Sequence, residues 1–317
     1  MNKSTKIRVN YLIGIVLSAV LLWGIYIQVQ NQIDKVGTDV LWQTGPPVFL
    51  WICVTLMLVN VVLEARKWQL LAGSAMALNF RQALSSYLAG IAISIVTPNR
   101  LGEYPGRILY LKRKNTFRLI SVSILGSFAQ LLTIFIYGTA ALIYYNITHP
   151  GIWEKVLLGG SIVMTGLLAM CYRRFERWLP ILNKVKRLQR FKIYAQLMMR
   201  FNNKEQLTIL GISILRFAVF TAQYLVLLRW MNVYVPEIDG FFLSALFFWT
   251  IAVVPSIALA ELGVRGKVGL YLFAPYSDNA IGILSATVGI WFINLIIPAI
   301  LGSLLLLRMR IFQVKNN

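Results

Sequence analysis

Six apolar runs, at residues 11–29, 47–65, 119–145, 155–172, 207–228 and 280–307, are each long enough to cross a hydrocarbon core of about 30 Å as a helix. A water-soluble core has no use for that many such runs in one chain of 317 residues. Two further runs, 83–97 and 241–254, give only about 22 Å of helix at 1.5 Å per residue and so read as half-helices. With 58% hydrophobic residues, the expected fold is all-α: a polytopic membrane protein forming a single transmembrane domain over 1–317.

Charge decides how these runs are threaded. A net charge of +20 would suggest nucleic acid in a soluble chain, but here the basic residues cluster between the spans. Positive-inside orientation and anionic headgroups account for them, and no nucleic-acid partner is expected. Lys3, Lys6 and Arg8 precede the run 11–29, which has no convincing small-residue cleavage site and reads as a retained anchor with the N-terminus cytoplasmic. Asp34, Lys35 and Asp39 then fall outside, and Arg66, Lys67 and Arg81 inside. If 83–97 crossed fully, Lys112, Arg113, Lys114 and Arg118 would lie outside, against the rule; a dip that returns through 105–114 keeps them inside.

The second half repeats the scheme from the opposite face. His149 and Glu154 fall outside, and segment 173–206, with ten Lys or Arg against two Glu, falls inside. A second dip, 241–254 in and 265–275 back, leaves Asp278 outside and Arg308 and Arg310 at a cytoplasmic C-terminus. The expectation is six full spans plus two re-entrant half-helix hairpins in an inverted-topology repeat, 1–150 and 151–317. Eight ordinary spans conflict with the charge rule at 112–118.

The two dips share a spelling. Ile95-Val-Thr-Pro98-Asn-Arg100-Leu-Gly102-Glu103-Tyr-Pro105-Gly106-Arg107 and Val254-Pro255-Ser-Ile-Ala-Leu-Ala-Glu261-Leu-Gly263-Val-Arg265 each join a proline to a Glu-x-x-x-Arg pair. Pro98, Gly102, Pro105, Gly106, Pro255 and Gly263 suit the turns between half-helices, where non-helical backbone at membrane depth must be covered by protein or a wet cavity. Glu103 with Arg107, and Glu261 with Arg265, share a helix face at a spacing of four. In a soluble helix that spacing usually means a surface ion pair of small value. Its recurrence beside a proline, in a chain with only 11 acidic residues, points to a site instead.

Arg216 lies near the centre of the run 207–228, where a lone arginine is costly and normally faces a cavity or a carboxylate. Together with Arg100, Arg107, Arg265 and Lys267 it outnumbers Glu103 and Glu261, which favours an anionic ligand. A phosphate-bearing lipid headgroup and a small anionic solute fit equally at this point. Gln130, Gln223 and Asn294 are neutral hydrogen-bonding residues inside spans, where they more often join helices than touch ligands. Cys53 and Cys171 are far apart and His149 is the single histidine, so no disulfide framework, multi-histidine metal site or cofactor is expected.

At Thr97-Pro-Asn-Arg-Leu-Gly-Glu-Tyr-Pro-Gly-Arg107 and Glu261-Leu-Gly-Val-Arg265 the chain resembles the flippase-like transmembrane domain of lysylphosphatidylglycerol synthase. Pro98, Arg100, Gly102, Glu103 and Arg107 match the family's first motif; in the second, Gly263 and Arg265 match, Gly266 replaces a glutamate, and Glu261 lies ahead of the motif. Full-length members resemble a lipid flippase fused to an aminoacyltransferase. The present sequence stops at Asn317, directly after its last span, so the resemblance implies translocation without aminoacyl transfer.

The expected function is therefore movement of an anionic or zwitterionic phospholipid between leaflets of the cell membrane. Substrate would bind at Arg100, Glu103, Arg107, Arg216, Glu261 and Arg265, with no catalytic residues. Two alternatives are a membrane glycosyltransferase using a polyisoprenyl-phosphate donor, with Glu237 and Asp239 as an acidic pair, and a non-catalytic partner of a lipid- or glycan-modifying enzyme. No nucleotide-binding loop is present, so energy would come from ion, potential or lipid gradients.

Overall fold

The computed structural model describes residues 44–95, 97, 101–111, 116–173, 201–254 and 258–307, with five positions of the N-terminal run; at 117, 258–262 and 307 only the backbone is described. Among these residues every regular element is a helix, joined by short turns. The helices are α1 (Val48–Gly73), α2 (Phe80–Ile95), α3 (Glu103–Tyr110), α4 (Thr116–Thr148), α5 (Ile152–Arg173), α6 (Asn203–Trp230), α7 (Glu237–Val253), α8 (Ala258–Phe273), α9 (Ala280–Trp291) and α10 (Ile297–Leu307). A π-helical turn, Phe292–Ile296, joins α9 to α10.

Among the described residues, five helices are long and apolar enough to cross a membrane: α1, α4, α5, α6 and the composite α9–α10. They coincide with five of the six long runs; the sixth, 11–29, and nearly all of the basic segment 173–206 lie outside the described residues. α2 and α7 have 16 and 17 residues, short as their sequences require.

Asparagines start several of these helices. Asn202 and Glu205 form a reciprocal capping box ahead of α6. Asn79 and Gln82 make the same exchange at α2, at 2.9 and 3.1 Å. Asn279 caps α9 by accepting from the Gly282 amide. Each cap satisfies amide donors that the first turn leaves without intrahelical partners.

Several helix contacts recur between the earlier and the later part of the chain. α1 packs mainly on α6, and the two run antiparallel, because Cys53 meets Gln223 while Glu64 meets Arg216. α2 packs on α10, as α7 packs on α4; α2 with α3 is matched by α7 with α8, and α1 with α4 by α6 with α9. The α4–α7 contact carries Phe135 against Trp249 and Tyr144 against Phe242. α5 packs mainly on α4, with Tyr172 near its C-terminal end donating to the Gln206 carbonyl of α6 at 2.9 Å, and its other face leaves Trp153, Val156, Val163 and Met170 exposed, as suits a lipid-facing surface.

Two expectations need correction. The run 47–65 continues to Gly73, so Lys67 is a helix residue, 2% exposed, and not part of a cytoplasmic loop. It is tolerated there because Glu64, one turn earlier, neutralises it. Pro105, Gly106 and Gly263 lie inside helices and not in turns. Pro105 occupies the first turn of α3, where a missing N–H costs nothing. Gly106 is needed for packing: a Cβ there would come within 2.8 Å of Gly90 Cα, where α2 and α3 approach most closely. Gly102, the residue before α3, accords with a turn, and its amide donates to Thr97 Oγ1 at 2.8 Å.

Candidate functional site

The inward stripe of α1 reads Met57, Asn60, Glu64, Lys67–Trp68, Leu71, all buried at the three-to-four spacing of one helix face. Glu64, 5% exposed, is the hub of the charged residues in the domain. Its Oε2 lies 2.7 Å from Lys67 Nζ and 3.2 Å from Arg216 Nη1, and its Oε1 accepts from Arg107 Nη2 at 3.0 Å. Helices α1, α3 and α6 are thus joined through one carboxylate.

Arg107 is held by two carboxylates through Nη2. Its guanidinium pairs with Glu64 and with Glu103, one turn earlier on α3. The guanidinium carbon sits 5.1 Å from the Trp68 ring centroid and 5.2 Å from that of Tyr87, within cation–π range of both. Behind it, Trp68 Nε1 donates to Ser86 Oγ at 3.1 Å and Ser86 donates to the Arg107 carbonyl at 2.7 Å. These contacts require α3 to lie close against α2, which the Gly90–Gly106 approach permits.

Arg216, midway along α6, donates to Gln130 of α4 at 3.0 Å as well as pairing with Glu64. Beyond it, Asn294 donates to Gln223 Oε1 at 2.9 Å, and Gln223 donates to the Cys53 carbonyl at 2.9 Å. Asn294 stands in the π-helical turn. Pro298 has no N–H to give to the Asn294 carbonyl four residues back, which is a local cause for loosening the helix there.

Glu64, Lys67, Arg107, Gln130, Arg216 and Asn294 line a cavity of about 320 Å³ bounded by α1, α2, α3, α4, α6 and the π turn. That is the small end of the ~300–1,000 Å³ range of small-molecule sites. Lys67, Arg107 and Arg216 against Glu64 and Glu103 leave one positive charge in excess. The Nε donors of Arg107 and Arg216 are buried without a hydrogen-bond partner among the described residues. A second cavity, about 280 Å³, shares Gln130, Arg216 and Asn294 with the first and contains Arg265 of α8. Arg216 stands in the wall between the two.

The structure therefore brings Glu103, Arg107 and Arg216 together, and sets Arg265 in the adjoining chamber on the other side of Arg216. Lys267 belongs to neither; it lines a third, mostly apolar cleft with Tyr145, Glu154 and Tyr271. Pro98, Arg100 and Pro255 lie outside the described residues, as does the Glu261 side chain, whose backbone is on α8. Glu64 and Lys67 are the residues that sequence reading missed as site members. The available signal was the 4–3 spacing Asn60, Glu64, Lys67, which places three polar groups on one face of an otherwise apolar helix.

Glu237 and Asp239, the acidic pair of the glycosyltransferase alternative, are separately engaged: Glu237 with Arg229 at 2.6 Å, Asp239 as acceptor from the Tyr144 hydroxyl. Among the described residues no cluster of three or more His, Cys, Asp or Glu could hold a metal ion.

A family model described as the lysylphosphatidylglycerol synthase TM region matches residues 11–302, nearly the whole chain. No curated protein and no solved structure matches it. The chain belongs to that family, and with five membrane-length helices it is an integral, multi-pass membrane protein.

Proposed function

We propose that this member of the lysylphosphatidylglycerol synthase TM region family is a translocator for an anionic or zwitterionic phospholipid, not an enzyme. The headgroup passes through the two chambers that Arg216 separates. The supporting observation is the pair of abutting intramembrane chambers with a shared arginine: one has a surplus cation and buried, unpaired guanidinium donors, and the other presents Arg265. Phosphate meets Arg107 and Arg216 first; Glu64 and Glu103 hold those arginines in place, and Glu103, the more exposed carboxylate, meets any cationic part of the headgroup.

The symmetric packing and the antiparallel α1–α6 pair support an inverted-topology repeat, with α2–α3 and α7–α8 as re-entrant hairpins. Rocking of one half against the other then transfers the headgroup across Arg216. The host is the cell membrane with both termini cytoplasmic, and a partner enzyme that makes or uses the lipid is compatible with this role.

Proteoliposomes containing headgroup-labelled phospholipid test the reading. The native chain accelerates exchange between leaflets, and Glu103→Gln and Arg265→Ala each reduce it toward the protein-free rate; native-like exchange in both variants removes these residues from the mechanism. Cysteines placed at 112 and 278 and labelled from one side at a time test the topology, which fails if both react from the same face.

A further inference from the structure

The polar chamber has a neighbour that the charge network does not use. On the outer side of α3 and α4 lies a groove of about 510 Å³ lined by Leu101, Leu109, Ile120 and Ile124, of which Leu101, Leu109 and Ile124 are exposed. Tyr104 lines both this groove and the polar chamber. Its hydroxyl is hydrogen-bonded to Ser127 Oγ at 2.8 Å, closing α3 onto α4 where groove and chamber meet.

Along α4 the same helix face runs Ile120, Ile124, Ser127, Gln130 at the three-to-four spacing, so it passes from the groove, past the Tyr104 contact, to the residue that binds Arg216. Polarity rises along it step by step. That gradient fits an amphiphile lying across Tyr104 with its ionic end inward. A free phosphate has no use for the apolar half. At this surface of a multi-pass membrane domain the surrounding solvent is itself acyl chain, so the groove is filled by hydrocarbon in any event.

We propose that the α3–α4 groove holds an acyl chain of the lipid whose headgroup occupies the polar chamber, and that the Tyr104–Ser127 hydroxyl pair is the threshold between them. This rests on the translocation reading above. The pair keeps both hydroxyls satisfied while the threshold is closed. Passage of a phosphate requires it to part, and the phosphate oxygens then replace the lost partner. Tyr104 is a positioning and selecting residue: it admits a headgroup attached to a chain, aligned with the groove.

The test uses the full chain in proteoliposomes, with translocation of a headgroup-labelled diacyl phospholipid as one readout and calorimetric binding of chain-less sn-glycero-3-phosphoglycerol as the other. Ile124→Trp fills the groove without touching the charge network. It should slow translocation by about tenfold, the factor expected from a penalty in the lower part of the usual overpacking range. Binding of the chain-less headgroup should change by less than about twofold. Tyr104→Phe and Ser127→Ala should each alter the rate, and the double variant no further than Ser127→Ala, because both remove the Tyr104–Ser127 bond and Ser127→Ala gives up in addition only its own bond to the Ser123 carbonyl at 3.2 Å. Native-rate translocation by Ile124→Trp, a parallel loss of headgroup binding, or additive effects at 104 and 127 would overturn the groove and threshold while leaving translocation through the chambers intact. A native chain that moves no labelled lipid overturns the translocation reading and the groove with it.

Discussion

Removing the Glu64 carboxylate should be the most damaging single change in the charged network. Glu64 is 5% exposed and faces three cations at 2.7, 3.0 and 3.2 Å, of which Lys67 and Arg107 are themselves buried. Without it those cations face each other with only Glu103 to offset them. Breaking a buried charge pair by deleting one partner typically costs ~3–5 kcal/mol, because the remaining charge stays desolvated and unpaired. Glu64→Ala should fall in that range, and at ~2 °C per kcal/mol, the lower end for chains of this size, the melting temperature should drop by roughly 6–10 °C. Glu64→Gln keeps one carbonyl acceptor and should lose less.

A second substitution checks the cause. In Glu64→Gln the cluster's excess rises by one positive charge, and adding Lys67→Met brings it back to the native value. The double variant should therefore be more stable than Glu64→Gln alone, with a coupling of at least ~1 kcal/mol between the two sites. Fluorescence-monitored thermal unfolding in detergent measures Glu64→Ala and the four proteins of the cycle: native, Glu64→Gln, Lys67→Met and the double variant. A Glu64→Ala shift under about 1 °C, or strict additivity in the cycle, would refute the hub role assigned to this carboxylate.

Other substitutions separate site from scaffold. Arg216→Lys should abolish most translocation while changing the melting temperature little, because an ammonium keeps a charge for Glu64 and Gln130, both of which Arg216 meets through Nη1, but offers no unpartnered Nε donor to a phosphate; proteoliposome exchange beside thermal unfolding checks the split. Gly106→Ala should destabilise by ~1–3 kcal/mol, since its Cβ would meet Gly90 Cα at 2.8 Å and the Ala89 carbonyl oxygen at 3.0 Å, visible as a lower melting temperature. Gly263→Ala, in a helix where a Cβ meets no atom of the described residues within 4 Å, should hold or raise stability by up to ~1 kcal/mol in the same assay. Trp68→Phe removes the donor to Ser86 and weakens the cation–π face over Arg107, so it should lower translocation more than Trp153→Phe on the lipid-facing surface of α5.

Much of this protein can be read without coordinates. Run length identified four of the membrane-length helices to within about four residues at each end, and the start but not the end of α1, because 1.5 Å per residue against a fixed hydrocarbon thickness leaves little choice. The shortness of 83–97 and 241–254 was legible for the same reason, and Glu103 with Arg107 from their spacing of four on one helix face. Arg216 stood out because a lone guanidinium in the middle of a span needs a partner.

The identity of that partner was not in the local pattern. Arg216 is 152 positions beyond Glu64, and they meet because α6 crosses α1 antiparallel at the level of both residues. Glu64 and Lys67 look like the charged end of a span until α1 is seen to continue to Gly73, with their side chains turned inward. The sequence by itself determined a helical, multi-pass membrane domain and one half of its charged site, since helix length, hydropathy and i, i+4 spacing are local quantities. The tertiary structure alone decided that Glu64 is the hub, that Arg216 divides two chambers, and that Tyr104 stands between a polar cavity and an apolar groove. Those depend on which faces of distant helices meet, a choice made by packing across the whole domain.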